Sequence, residues 1–271
     1  MNRVSNPAKT VLITGASSGL GAALAREYAL RGANLVLLAR RVTRLQDLAQ
    51  QLRALGRQVL VCEGDVTVDG SVAGAVASAD EAGWPIDVVI ANAGFSVAGP
   101  LQKLTLADYR RQYETNVFGV LRTVYESLSA LRSSGGHLVI MGSVAGHAAA
   151  PGASAYASSK FAVRALADSL RGDLRHDGVG LTLMSPGFID SDIRRTDNRG
   201  ALHVEAPDPI PEWVRMRSPA AARAMVNAIE RGCAEFVVTF HGKLIVFVAR
   251  HFPALVRRLS LRYVRWRKQP A

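Results

Sequence analysis

An α/β fold built on a doubly wound parallel sheet is predicted by three features of this chain. Strand-like and helical segments alternate through the first 240 residues, the strand segments are apolar almost throughout, and a glycine turn follows the first of them. Thr10-Val11-Leu12-Ile13-Thr14 reads as a short buried strand, and Gly15-Ala16-Ser17-Ser18-Gly19-Leu20-Gly21 leads from it into the helical stretch Ala22 to Leu30. Strand-like runs near 10–14, 34–39, 58–62, 86–91, 136–141, 179–184 and 235–240 are separated by helical patterns near 20–31, 42–54, 69–82, 106–132, 155–176 and 218–231. A strand such as Leu35-Val36-Leu37-Leu38, with no polar position, suits a sheet covered by helices on both faces. Parallel strands joined by helices require right-handed crossovers. About seven strands and a C-terminal helical extension are therefore expected.

At 271 residues and 49% hydrophobic content the chain can bury one full α/β core, and no low-complexity linker or internal repeat divides it. The reading is one domain over 1–240 followed by a basic amphipathic extension over 241–271. Cys62 and Cys233 form no Cys-x-x-Cys and no metal-ligand spacing, so no metal and a reduced, cytoplasmic setting are expected. The first seven residues lack the apolar stretch of a signal peptide, so secretion by that route is not expected. The net charge of +11 is concentrated at one end without a visible recognition module, which argues against nucleic acid as a partner.

Two constellations carry chemistry. The first is the glycine turn: glycines let backbone approach a pyrophosphate, and the helix start beyond them offers unpaired N–H groups and the positive end of its dipole. Its spacing, Gly-x-x-x-Gly-x-Gly, differs from the commoner Gly-x-Gly-x-x-Gly fingerprint, but it lies between a first strand and a helix as dinucleotide binding requires. The second is Tyr156-x-x-x-Lys160, whose four-residue spacing sets a phenol and an ammonium on one helix face. A free phenol ionises near pH ~10, so one that exchanges protons near neutrality needs its anion stabilised; Lys160 is the expected source. Ser143 closes the apolar run Leu138-Val139-Ile140-Met141 at the carboxyl end of a strand, where its hydroxyl is placed to hold a substrate oxygen.

Taken together, Thr14-Gly15-x-x-x-Gly19-x-Gly21, Asn92-Ala93-Gly94, Asn116, Ser143, Tyr156-x-x-x-Lys160 and Pro186-Gly187 resemble the short-chain dehydrogenase/reductase family over roughly residues 8 to 240. The resemblance implies a Rossmann-like sheet in the order 3-2-1-4-5-6-7. It also implies Tyr156 as catalytic acid/base, Ser143 orienting a carbonyl or hydroxyl, Lys160 on the nicotinamide ribose and Asn116 supporting a water relay to Lys160. Around the cofactor it implies Gly15, Ser17, Ser18, Gly19, Leu20 and Gly21 at the phosphates, and Asp65 and Val66 at the adenine. Asn92, Ala93 and Gly94 either admit the cofactor closely or stabilise the central sheet, and both roles stay open. Beyond the sixth strand, Pro186, Gly187, the Ile189 backbone and Ser191 are implied at the nicotinamide; Ser191 replaces a threonine frequent in the family and keeps the hydroxyl. A homo-oligomer, dimer or tetramer, is a further expectation.

Cofactor choice is read at Ala39-Arg40-Arg41. NAD-selective sites place an acid near the end of the second strand for the ribose hydroxyls, whereas arginine there suits the 2′-phosphate of NADP(H), and Arg40 sits at that point. Phe95, His147, Phe188 and Trp213 are candidate pocket residues, and the Asp-, Arg- and Pro-rich stretch 192–216 reads as a loop over the substrate. The function expected is hydride transfer between NADP(H) and a carbonyl or alcohol substrate, small and lipophilic. Epimerisation or dehydration on a related fold, and an NADP(H)-binding regulatory protein without turnover, are the alternatives; the complete tetrad argues against a pure sensor.

No acid follows Glu235, and Lys243, Arg250, Arg257, Arg258, Arg262, Arg265, Arg267 and Lys268 carry most of the net charge. Pro253 can start a second short helix in which Phe252, Leu255, Val256, Leu259, Tyr263 and Trp266 recur on one face. Arginine and aromatic side chains together suit peripheral contact with an anionic membrane through 242–268; packing across an oligomer interface is the competing account. The apolar run 244–249 is far short of the ~20 residues a spanning helix needs.

Overall fold

The computed structural model describes residues 8–198, 203, 205, 207, 208 and 210–259. Among these, seven strands form one parallel sheet: β1 (Thr10–Thr14), β2 (Asn34–Ala39), β3 (Val59–Glu63), β4 (Ile86–Ala91), β5 (His137–Met141), β6 (Gly180–Ser185) and β7 (Glu235–Val237). Their order is β3-β2-β1-β4-β5-β6-β7. The helices are α1 (Gly19–Leu30), α2 (Val42–Ala54), α3 (Ser71–Glu81), α4 (Leu106–Tyr113), α5 (Gly119–Ser134), α6 (Ser154–His176), α7 (Ser218–Glu230) and α8 (Phe240–His251).

Side chains alternate across a strand, and this sorts the core into two layers. Val11 and Ile13 of β1 pack with Leu24, Leu45, Leu52 and Met225 of α1, α2 and α7, while Leu12 faces the opposite layer with Val72, Val124 and Val163 of α3, α5 and α6. Both faces are therefore dry, which is why the strands are apolar at successive positions. The order reverses between β1 and β4, and a crevice opens outside the carboxyl ends of the strands at that reversal.

Two elements depart from the sequence pattern. The helical stretch 106–132 is divided into α4, a π turn over Glu114–Phe118, and α5. The interruption coincides with Asn116, fully buried, whose Oδ1 accepts from Phe95 N (3.1 Å) and whose Nδ2 donates to Phe95 O (3.1 Å) and Ser159 Oγ (3.2 Å). An apolar periodicity carries no sign of such a widened turn. The strand-like run 235–240 is strand only to Val237, because Thr239 Oγ1 accepts from Gly242 N (3.2 Å) and caps α8, which begins at Phe240. After Phe252 a second helical stretch covers 253–259, with Pro253 at its first position. The expectations for Arg262, Tyr263, Arg265, Trp266, Arg267 and Lys268 lie outside the described residues.

Candidate active site

The crevice is a cleft of about 750 Å³ that runs from the turn after β1 to the loops after β5 and β6. Gly15 has φ +66°, and a Cβ there would lie 2.8 Å from Ala93 Cα; a Cβ at Gly21 would lie 2.5 Å from Gly15 O. The turn is thus pressed against the end of β4 and requires glycine at both points. Asn92 fixes this junction, donating from Nδ2 to Thr14 O (2.9 Å) and Gly15 O (3.3 Å), while the Asn92 and Ala93 amides donate to Thr14 Oγ1 (both 3.0 Å). These contacts join the turn to the sheet, and Asn92, Ala93 and Gly94 also line the cleft, so the two roles coexist at this position. Ser18, at the N-cap of α1, makes no side-chain capping bond, so the first amides of the helix keep their capacity for an anion.

Ser17, Ser18, Gly19 and Leu20 line the same end of the cleft, with Arg40, Asp65 and Val66 opposite. Arg40 is largely exposed and pairs weakly with Asp65 (3.4 Å), whose other oxygen accepts from Thr67 N (3.0 Å) in a local turn. Arg41 is the better-placed cation: its guanidinium donates to Ser17 Oγ (3.1 Å) and Ser18 Oγ (2.6 Å), at the rim of the glycine turn. It stood in the sequence beside Arg40, but only the fold shows which of the two bends back over the turn. Phosphate-bearing ligands fit this end, where two guanidiniums, hydroxyls and uncapped amides converge.

At the other end, Ser143, Tyr156 and Lys160 line the cleft together with Gly94, Pro186, Gly187, Ile189 and Ser191. Ser143 ends the loop after β5, its Oγ accepting from Ala145 N (3.1 Å). Tyr156 and Lys160 are one turn apart on α6, with Lys160 Nζ 5.9 Å from the Tyr156 ring centroid. Lys160 is buried and donates to Met141 O (2.7 Å). Asn116 does not line the cleft; its Nδ2 donates to the Oγ of Ser159, one residue before Lys160 on α6, which in turn donates to Tyr156 O (2.7 Å).

Burial pushes the Tyr156 phenol above its ordinary value, opposed by the hydrogen bond with Ser143 and by the charge of Arg194. Burial also lowers Lys160 from 10.5 to about 8, so its ammonium is itself strained by the low-dielectric site and is held by the Met141 carbonyl. Arg194, which the sequence did not single out, lines the cleft, donates to Ile189 O (2.8 Å) and pairs with Asp208 (2.7 Å). Asp208 also meets Arg215 (3.3 Å), and the two guanidiniums hold its carboxyl down at about 2.

Among the candidate pocket residues, only Phe95 lines the cleft, with the Arg111 guanidinium 5.9 Å from its ring centroid. His147 is turned behind the site, 2.9 Å from Ser185 Oγ and 3.3 Å from Glu235 Oε1. Phe188 stacks on His241 (5.1 Å between centroids), and Trp213 is exposed. Phe188 follows the cleft residue Gly187, His147 lies four residues after Ser143 and Trp213 lies in the stretch 192–216, which placed each near the site in sequence but not in the cleft.

A family model for short chain dehydrogenases matches residues 9–201. An uncharacterised oxidoreductase of Myxococcus xanthus is 35% identical over 239 residues, 88% of this chain and 89% of that protein. Glycine betaine reductase ATRR of Emericella nidulans is 34% identical over 186 residues, 68% of this chain but 15% of that much longer protein. Among solved structures, a short-chain dehydrogenase from Sphingobium yanoikuyae in complex with NADPH superposes with TM-score 0.75 at 29% identity, covering 97% of this chain and 96% of that one. A relative from Burkholderia phymatum in complex with NAD gives TM-score 0.76 at 26% identity, over 97% and 96%. A doubly wound sheet with a cleft at its switch point is the architecture in which α/β proteins bind ligands outside the carboxyl ends of their strands. The sequence match makes the class specific: the chain belongs to the short-chain dehydrogenase/reductase family and is an oxidoreductase of that kind.

Proposed function

We propose that the chain transfers hydride reversibly between NADP(H) and a carbonyl or alcohol carbon of a small lipophilic molecule. The observation that carries this reading is the convergence on one cleft of Ser143, Tyr156 and Lys160 at one end and two arginines at the other. Arg40 and Arg41 would hold the 2′-phosphate, Asp65 and Val66 the adenine, Lys160 the ribose, and the Ile189 backbone the carboxamide. When bound, the nicotinamide supplies or accepts the hydride. In reduction, the raised Tyr156 phenol arrives protonated and donates to the developing alkoxide, while Ser143 Oγ donates a hydrogen bond to the same oxygen. Lys160 restores the proton, and Asn116 supports a water relay to Lys160.

Cofactor preference tests the arginine end. A charge-assisted contact to the phosphate contributes ~1.5–3 kcal/mol, roughly a tenfold to hundredfold preference for NADP(H) over NAD(H). Titration of both cofactors should show that preference in the wild type, and Arg40→Ala and Arg41→Ala should each reduce it. Equal wild-type affinities, or an unchanged preference in both variants, would remove the arginines from this role.

A second part of the reading concerns location. Phe240, Leu244 and Phe247 stand at i, i+4 and i+7 on the outer face of α8 and are 85%, 57% and 53% exposed. Phe252, Leu255 and Leu259 are also exposed, and Lys243, Arg250, Arg257 and Arg258 lie among them. An apolar face with a cationic border supports peripheral contact with an anionic membrane on the cytoplasmic side, from which a lipophilic substrate would be drawn. No described helix is long and apolar enough to cross a membrane. Exposed Phe118, Tyr125 and Phe161, near or on α5 and α6, support assembly as a homo-oligomer.

A further inference from the structure

The segment Pro186–Ile189 forms the nicotinamide end of the cleft under the reading above, yet one of its residues faces away from it. Pro186, Gly187 and Ile189 line the cleft, whereas Phe188 turns its backbone N–H and its ring toward the first turn of α8. There the Phe188 amide donates to His241 Nε2 (3.0 Å), and the two rings stack at 5.1 Å with 21° between their planes. Thr239 Oγ1 lies 3.1 Å from the same nitrogen and accepts from Gly242 N. Thr239 is buried, and burial lowers His241 from its ordinary value, which favours the neutral ring that an accepting Nε2 requires.

Glycine chemistry shows how closely α8 approaches. A Cβ on Gly187 would overlap Thr239 Oγ1 and come within 2.8 Å of His241 Nε2. A Cβ on Gly242 would lie 2.9 Å from Val144 Cγ2, next to Ser143, and Val144 N donates to Pro186 O (2.9 Å). The glycine of Pro186-Gly187 is therefore required on its far side by α8, whatever the cofactor requires on the near side. One helical turn supports both loops that flank the catalytic end of the cleft.

We propose that His241 is a positioning residue for the cofactor: by accepting the Phe188 N–H it holds the Gly187–Ile189 backbone in the orientation that receives the nicotinamide end. This rests on the hydride-transfer reading, because it assigns that end of the cleft to nicotinamide. His241 touches neither substrate nor cofactor and acts through Phe188. Removing the acceptor leaves a half-buried amide without its partner, and relieving that by shifting the loop misplaces Ile189.

The test compares binding of NADPH with binding of 2′-phospho-ADP-ribose, which has the phosphates and adenine but no nicotinamide, by calorimetry on the full chain. His241→Phe keeps a ring for the stack and deletes the acceptor; His241→Gln keeps an acceptor near the ε position. The expected result is that His241→Phe weakens NADPH binding about tenfold with 2′-phospho-ADP-ribose unchanged, and that His241→Gln restores most of the loss. Should His241→Phe not fold, as judged by thermal melting, His241→Met against His241→Gln makes the same comparison at matched length. NADPH binding equal to wild type in the acceptor-free variant, or an equal loss for both ligands, would overturn the proposal. A wild-type chain that binds 2′-phospho-ADP-ribose but gains nothing from nicotinamide would contradict the hydride-transfer reading itself, and with it the role of His241.

Discussion

Tyr156 and Lys160 stand one turn apart on α6, and burial moves their proton affinities in opposite directions: the phenol is harder to ionise and the ammonium easier to discharge. For Lys160 this has a consequence for stability. The folded chain binds fewer protons at this site than the unfolded chain between about pH 8 and 10.5, so stability rises with pH across that window. Urea unfolding from pH 8 to 10 should give a slope of stability against pH that is more positive in the wild type than in Lys160→Met; Cys62, Tyr28 and Tyr156, whose raised values act in the opposite direction, are common to both. An identical slope in the variant would show that the buried ammonium is not the source. The sequence made this pair visible because spacing on a helix fixes which side chains are neighbours. It did not make visible that Arg194, far along the chain, would be a cation that lowers the phenol, or that Arg41 would bend back to Ser17 and Ser18. Those contacts depend on loop paths, for which no periodicity exists.

Elements with a strong period were legible, and those set by one side chain's hydrogen bonds were not. The apolar runs located β1 to β6 within a residue or two, since each core strand meets helices on both faces. The π turn at Asn116 and the start of α8 at Phe240 escaped, because a buried amide decided the first and the Thr239 cap the second. The cap also changes how the tail should be tested. A cut after Val238 would remove Thr239 and Gly242, which lie against Val144 and Gly187, and would confound membrane release with damage to the site. Leu244→Ser with Phe247→Ser alters only exposed positions of α8. This double variant should retain cofactor binding and lose most salt-sensitive co-sedimentation with phosphatidylserine-containing vesicles. Unchanged co-sedimentation would remove this face as the anchor, and a change in subunit number by light scattering would assign it to a subunit contact instead.

At the scale of the whole molecule, the reversal of strand order between β1 and β4 brings together residues that are far apart in sequence. The turn after β1, the ends of β2 to β4 and the loops after β5 and β6 all open on the same side, so Gly15, Arg40, Asn92, Ser143 and Ile189 line one cleft. Parallel strands joined by helices deliver every carboxyl end to that side, and this geometry lets short, separate motifs act as a single site. The central claim is that Tyr156 exchanges the proton that accompanies hydride transfer. It is tested most directly by single-turnover NADPH oxidation with a reactive carbonyl chosen from a panel, comparing wild type with Tyr156→Phe. The substitution deletes only the hydroxyl, and loss of general acid catalysis costs typically ~10²–10⁴-fold. The account predicts a loss of that size in the rate of NADPH oxidation with cofactor affinity retained; a folded Tyr156→Phe enzyme that oxidises bound NADPH at the wild-type rate would contradict it.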